Sequence, residues 1–495
     1  MERFSRPTSR ARRRAPSTSC CVLSEGGRPR VRGPSLAAVR ERALRDWVVV
    51  TACSLRHLFL VCRTTIPVAE ELENESEAPC EGWRRGKDQV DQEIRGTLLL
   101  DPEVLRDPYP LYRRLREHAP VWQVAGTEVF IVSTFELLVE ASARVADFSS
   151  AMKCLLYRDE TGLPGRFTFG DAGGQVLATA DPPLHEIHRR AVFPELVTKR
   201  MEMLDPEIHD LAQGLVTTAL QSGTIEFMNA IGNVVPITMI SRLIGFRGSD
   251  LGELWRSAVH MTKLVGSTLT LDELMNYASG GDEVQAWIDG QVAMAVEEPS
   301  EDLLGAVARS IVDGILTRPE GAGILTILLS AGGESTTSLL GNAVRMLAED
   351  PELQDHLRRN LDQVSLFVEE ALRLESPFRY MMRTVPADTT LGGVEIRAGA
   401  TVLLLWAAGN RDECEFEHPD EIDLSRRVPR RHVAFGRGIH HCVGAPLARI
   451  EARNVLSVLL EATSSICLEP EHPPRWVDSF LVRRHQDLPL RLHAR

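Results

Sequence analysis

Residues 435–446, Phe-Gly-Arg-Gly-Ile-His-His-Cys-Val-Gly-Ala-Pro, gather three glycines around one cysteine, Cys442. Ala448, Ala452, Val455 and Leu459 follow at helical spacing, so a helix should start just behind the cysteine. Glycines let backbone N–H groups approach a sulfur, and a helix N-terminus adds partial positive charge beside it. Both favour thiolate over thiol. A thiolate so placed suits a nucleophile, a disulfide partner, a zinc ligand or an axial ligand of iron. Zinc calls for a second ligand pair close by, and the chain has no Cys-x-x-Cys. A cysteine in a Gly-rich turn, taken alone, reads as a small buried residue. The spacing around it decides.

A second chemical stretch is Ala322 to Leu347, apolar nearly all round, which predicts a buried central helix. Inside it lie Gly332, Gly333, Glu334, Ser335, Thr336 and Thr337. A charged Glu in such a helix is costly without partners, and two glycines weaken a helix where a small ligand needs space. Two polar pairs and a lone arginine complete the inventory. His185 and Arg189 stand four apart after Asp-Pro-Pro, on one face of a helix. Glu370 and Arg373 are one helical turn apart, and Arg383 follows Pro377 by six residues.

The pattern Phe435-x-x-Gly438-x-x-x-Cys442-x-Gly444, continued by Ala448-Arg449-x-Glu451, resembles the heme-binding loop of the cytochrome P-450 family in its bacterial soluble form. The central run resembles that family's Ala-Gly-x-(Asp/Glu)-Thr-Thr motif, with Ser335 where threonine is usual. Residues 98–495 carry four such motifs in the family's order. The resemblance implies a mainly α fold with a small β region and heme b between the long central helix and the cysteine loop. Cys442 would be the iron's thiolate ligand, with Phe435 and Gly444 beside it. His185, Arg189, Arg383 and His440 would meet the heme propionates. Glu334, Ser335 and Thr336 would relay protons, and the glycines would leave a groove for dioxygen. Glu370, Arg373 and, as third member, Arg426 would form a structural lock. Phe378–Met382 and Phe480–Val482 would line the pocket.

The implied reaction is O2-dependent monooxygenation of a small hydrophobic substrate. Electrons would come from NAD(P)H through a ferredoxin-type partner, since no flavin or iron–sulfur motif is present. Rival readings on the same scaffold are a peroxygenase or isomerase, or a heme-thiolate sensor without turnover; the retained acid and hydroxyl speak against both.

The rest of the chain must position these groups. At 495 residues, 43% hydrophobic and 25% charged, it has the composition of a globular protein with a large core. Its net charge of −13 is uneven: residues 1–46 hold twelve arginines and four acids, a local +8, which leaves −21 on the remainder. That argues against nucleic acid as partner. Nine cysteines at irregular spacing fit a reducing cytoplasm. Residues 47–68 are the strongest membrane candidate, but Arg56, His57 and Arg63 make them a poor one.

Residues 1–97 read as a poorly ordered extension. A helix should run from Pro110 to Pro120, followed by a hairpin from Val121–Val124 and Val129–Ser133. Residues 148–183 read as a long aperiodic loop, and 200–300 as helices that cover the pocket. One helix is expected between Pro351 and Pro377, and a tight turn at Gly392-Gly393. Seven arginines against one acid in 426–453, with Arg437 inside the cysteine loop, suggest a basic docking face.

Overall fold

The computed structural model describes residues 94–170, 174–248, 250–278 and 282–495. Residues 1–93, which hold nearly all of the expected extension and the whole 47–68 stretch, lie outside the described residues. Among the described residues no helix is long and apolar enough to cross a membrane. The core already begins at Ile94, buried with Leu99 and Leu100.

The fold is mainly helical. In chain order the helices that place the site are α1 (Tyr109–His118), α2 (Leu184–Val192), α3 (Asp205–Ser222), α4 (Val234–Ile244), α5 (Leu251–Leu264), α6 (Asp282–Glu297), α7 (Arg318–Glu349), α8 (Val364–Leu374) and α9 (Ala445–Ala462). Helix α7 runs through the middle and packs against α4, α5, α6, α8 and α9. It starts with a capping box: the Glu320 carboxylate accepts from Thr317 N at 2.7 Å, and the Thr317 hydroxyl accepts from Glu320 N at 3.3 Å. Pro319 sits in the first turn, where no backbone donor is needed.

Helix α7 continues unbroken through Gly332 and Gly333. A Cβ at Gly332 would come within 2.9 Å of Ile240 on α4, and one at Gly333 within 3.4 Å of Ile237 and Ala258. These glycines therefore let α4 and α5 seat closely on α7. The groove expected there is filled by aliphatic side chains.

The main sheet has strand order Val121–Gln123, Val129–Val132, Thr401–Leu404, Met381–Thr384. The expected first hairpin is present, with Val121 opposite Val132, and Val129 then pairs in parallel with Thr401. Gly392 and Gly393, both at positive φ, make the expected turn between Thr389–Leu391 and Val394–Ile396.

Two expectations need correction. Residues 148–183 contain a hairpin, Cys154–Arg158 against Pro164–Thr168. The helix expected from Pro351 to Pro377 is split, because Asn360 at φ −137, ψ 66 leaves helical space between Pro351–Arg359 and the 3-10 turn leading into α8. The stretches expected to line the pocket are mostly covered: Tyr380, Phe480, Leu481 and Val482 are buried, Phe378 and Met382 are half-buried, and Met381 is exposed.

Candidate active site

Cys442 stands just before α9, whose first turn begins at Ala445 behind Gly444. Its N–H donates to Phe435 O at 2.9 Å, which closes the loop on itself. Gly436 and Gly438 both take φ of +70, and a Cβ at Gly438 would sit 2.8 Å from the Ser142 carbonyl. A side chain fits neither in dihedral nor in space at Gly438. The sulfur is open on one side, yet the surrounding protein desolvates it and pushes its thiol up. Working the other way are backbone N–H groups of Gly444 and Ala445, then the charges of Arg449 and Arg189. These donors stabilise an ionised sulfur, and a bound metal cation completes that stabilisation.

Above the loop lies a cationic cluster. Arg383, on a strand of the main sheet, is buried, and its guanidinium donates to Met382 O at 2.8 Å. Burial lowers its pKa to about 10 even with Asp181 acting against the shift. His440 is pushed down to about 3 by burial and then by Arg383, His185 and Arg189. The His185 and His440 rings lie 4.4 Å apart, and His185 Nδ1 and His440 Nε2 are buried without a hydrogen-bond partner. Among the described residues no carboxylate pairs with Arg383. Such a group of unsatisfied donors fits the two carboxylates of a heme, and the open sulfur fits its iron. The Asp181 carboxylate accepts from Ser150 N at 2.8 Å and from the Ser149 hydroxyl, next to the strand that bears Arg383, while the Asp181 carbonyl accepts from His185 N at 2.9 Å.

Arg189 is placed differently. Its guanidinium donates to Ile439 O at 2.8 Å and His441 O at 3.2 Å, clamping the cysteine loop. Phe435 faces Arg449, whose guanidinium carbon is 4.5 Å from the ring centroid.

On α7 the three expected relay residues point to three different neighbours. The Glu334 carboxylate accepts from Arg484 Nε at 2.8 Å and from the Thr262 hydroxyl on α5. Burial raises its pKa, although Arg484 opposes that. Half-buried Ser335 donates to Ala331 O one turn back, at 2.5 Å. Thr336 is buried beside Glu451 of α9, where burial lifts the carboxyl to about 8 and the Thr336 hydroxyl favours its ionised form. Arg484, Thr262 and Glu451 had not been singled out as functional. Glu451 lay within the quoted motif; the other two carry no local sequence signal.

The expected lock is formed. Arg373 donates twice to Glu370, at 2.8 Å each, and Arg426 Nε reaches the same carboxylate at 3.0 Å. Arg373 also caps the carbonyls of Asn410, Pro419 and Glu421. The basic face is thinner than its arginine count suggests. Arg426, Arg431, Arg449 and Arg453 each hold a carboxylate, and half-buried Arg437 donates to Arg431 O at 2.7 Å. Arg430 is exposed but also lies 3.5 Å from the Glu369 carboxylate, and Arg427 is exposed.

A family model described as Cytochrome P450 matches residues 310–485. Cytochrome P450 144 of Mycobacterium tuberculosis is 38% identical over 390 residues, covering 78% of this chain and 89% of that protein. Cytochrome P450 monooxygenase PikC of Streptomyces venezuelae is 33% identical over 409 residues, covering 79% and 92%. The solved structure of cytochrome P450 CYP109Q5 from Chondromyces apiculatus superposes with a TM-score of 0.69 at 30% identity, covering 80% of this chain and 98% of that one.

Proposed function

The chain belongs to the cytochrome P450 family of heme monooxygenases, and on that premise we propose that it inserts one oxygen atom of O2 into a small hydrophobic substrate. Electrons come from NAD(P)H through a ferredoxin-type protein. The observation that carries this reading is the pairing of an open, N–H-supported Cys442 sulfur with a buried acid, Glu334, beside the Ser335 hydroxyl on the central helix.

Heme bound through a thiolate supplies dioxygen binding and O–O cleavage. The chain's own residues do the rest. Cys442 would hold the iron, with its charge supported by the N–H groups of Gly444 and Ala445. Arg383, His185 and His440 would take up the heme carboxylates, and Arg189 keeps the loop that bears His440 and Cys442 in place.

Proton handling falls to α7. Glu334 is held by Arg484 and Thr262, so a proton passes from its carboxyl to Ser335 Oγ only when the side chain leaves Arg484. Ser335 must in turn release the Ala331 carbonyl. Serine has no methyl to fix its rotamer, so its freed hydroxyl is held less firmly on the proton path than a threonine's would be. Thr336 is committed to Glu451 and supports the carboxyl on the cysteine side. For the redox partner, exposed Arg427 and Arg430 near the cysteine loop suit an acidic surface.

Turnover under 18O2 with any ligand that displaces the axial water, as read from the heme absorption band, tests the proposal. One labelled oxygen atom in the product is expected. Products formed without label, or formed only with added peroxide, would overturn it.

A further inference from the structure

Glu369 sits next to Glu370 on α8, yet it serves a different set of partners. It accepts from Arg449 Nε at 2.6 Å and Nη2 at 2.9 Å, and from His432 Nε2 at 2.9 Å, with the exposed Arg430 guanidinium a looser ion-pair partner at 3.5 Å. Ala434 N donates to His432 Nδ1 at 3.2 Å, which leaves the ring proton on Nε2 and makes His432 a donor to Glu369. Burial pushes Glu369 upward, but His432 and Arg449 overcome it and hold the carboxyl at about 2. At any working pH this carboxylate is ionised.

Arg449 lies on α9, the helix that follows Cys442, and its guanidinium covers the Phe435 ring at 4.5 Å. Phe435 O in turn accepts the Cys442 N–H. Arg449 is the first of the two arginine charges that favour an ionised Cys442 sulfur. One face of this guanidinium therefore looks toward the sulfur's loop while its fork is neutralised by Glu369.

A cation near a thiolate stabilises the charge on sulfur, which weakens donation to the metal and raises the metal's reduction potential. A carboxylate paired with that cation cancels part of the effect. We propose that Glu369 and Arg449 form a charge-balancing, positioning pair that sets how strongly Cys442 donates to the heme iron, with His432 holding Glu369 in register. This rests on the heme-thiolate reading above. A purely mechanical staple between α8 and α9 is the competing explanation, and the two differ in sign.

The test is the equilibrium midpoint potential of the substrate-free holoenzyme. Glu369→Gln should raise it and Arg449→Gln should lower it, each by roughly a tenfold change in the ferric/ferrous ratio, about 59 mV for a one-electron couple. The double variant should return toward wild type. A staple broken at either end loosens the same loop, so shifts of the same sign, or no shift, would overturn the proposal. If a Gln variant fails to hold heme, Glu369→Asp and Arg449→Lys keep both charges. Their potentials should match wild type, and a tenfold displacement in either would overturn the proposal.

The carbon monoxide spectrum of the wild type separates the two levels. Without a thiolate band the family-based reading fails; with the band present and no opposite shifts, this inference alone fails.

Discussion

Helix α8 on one hand and helices α7 and α9 on the other bury carboxylates, and they treat them in opposite ways. On α8, Glu370 meets Arg373, Arg426 and the Asp423 N–H, while Glu369 meets Arg449 and His432. Partners overcome burial there, and both carboxyls are held below the usual range. On α7 Glu334 has one arginine and one hydroxyl, and on α9 Glu451 has the Thr336 hydroxyl while its Oε2 has no partner. Burial wins there and both are pushed up. Carboxylates that hold the chain together are fully compensated. The two on α7 and α9 are left able to change protonation state.

That contrast is most easily broken at Arg373. Arg373→Ala leaves Glu370 buried with Arg426 as its one remaining cation beside the Asp423 N–H, and should cost about 3–5 kcal/mol with loss of heme retention. Urea unfolding followed by heme absorbance measures it; a loss under about 1 kcal/mol would put α8 on the same footing as α7 and α9.

Next in size is Glu334→Gln, which keeps shape but removes the transferable proton. Turnover should fall on the order of 10²-fold, with a larger solvent isotope effect and unchanged ligand affinity. Turnover equal to wild type would remove Glu334 from the proton path.

Glu451 gives a pH signature. Its folded pKa, raised to about 8, means that folding binds a proton which the unfolded carboxyl has lost above its ordinary 4.5. Its contribution is therefore fully present below about 4.5 and is lost as pH rises through about 8. Glu451→Gln should gain about 1–3 kcal/mol over wild type on going from pH 5 to pH 8. Parallel stability curves for the two proteins would show that Glu451 is not neutral in the fold. The smallest effect belongs to Ser335. Ser335→Ala should divert a modestly larger share of reducing equivalents to hydrogen peroxide, and Ser335→Thr should couple as well as wild type or better. Equal peroxide yields in all three would pass the hydroxyl's role to Thr336 or to water.

Spacing along the chain made the cysteine loop, the central helix and the Glu370–Arg373 pair legible, because each is a local pattern with one periodicity. Arg426 was found because the motif order pointed to it. Long-range partners left no such trace: Arg484 lies 150 residues from Glu334, and His432 lies 63 from Glu369. Glu369 was hidden by its neighbour, although two adjacent acids on a buried helix signal that each needs its own cation. Gly332 and Gly333 misled for a related reason. A glycine marks a missing side chain, and whether ligand or Ile240 fills the space depends on a helix almost 100 residues away. The hairpin at Cys154–Thr168 was obscured by Pro164 and Gly165, which interrupt its second strand.

Ligation through Cys442 underlies every role assigned here, and the absorption spectrum of the reduced protein with carbon monoxide tests it most directly. Wild type should show the strongly red-shifted band of a thiolate-ligated heme, and Cys442→Ala should lose it. A Cys442→Ala protein that keeps the band, or a heme-loaded wild type without it, would contradict ligation through this sulfur.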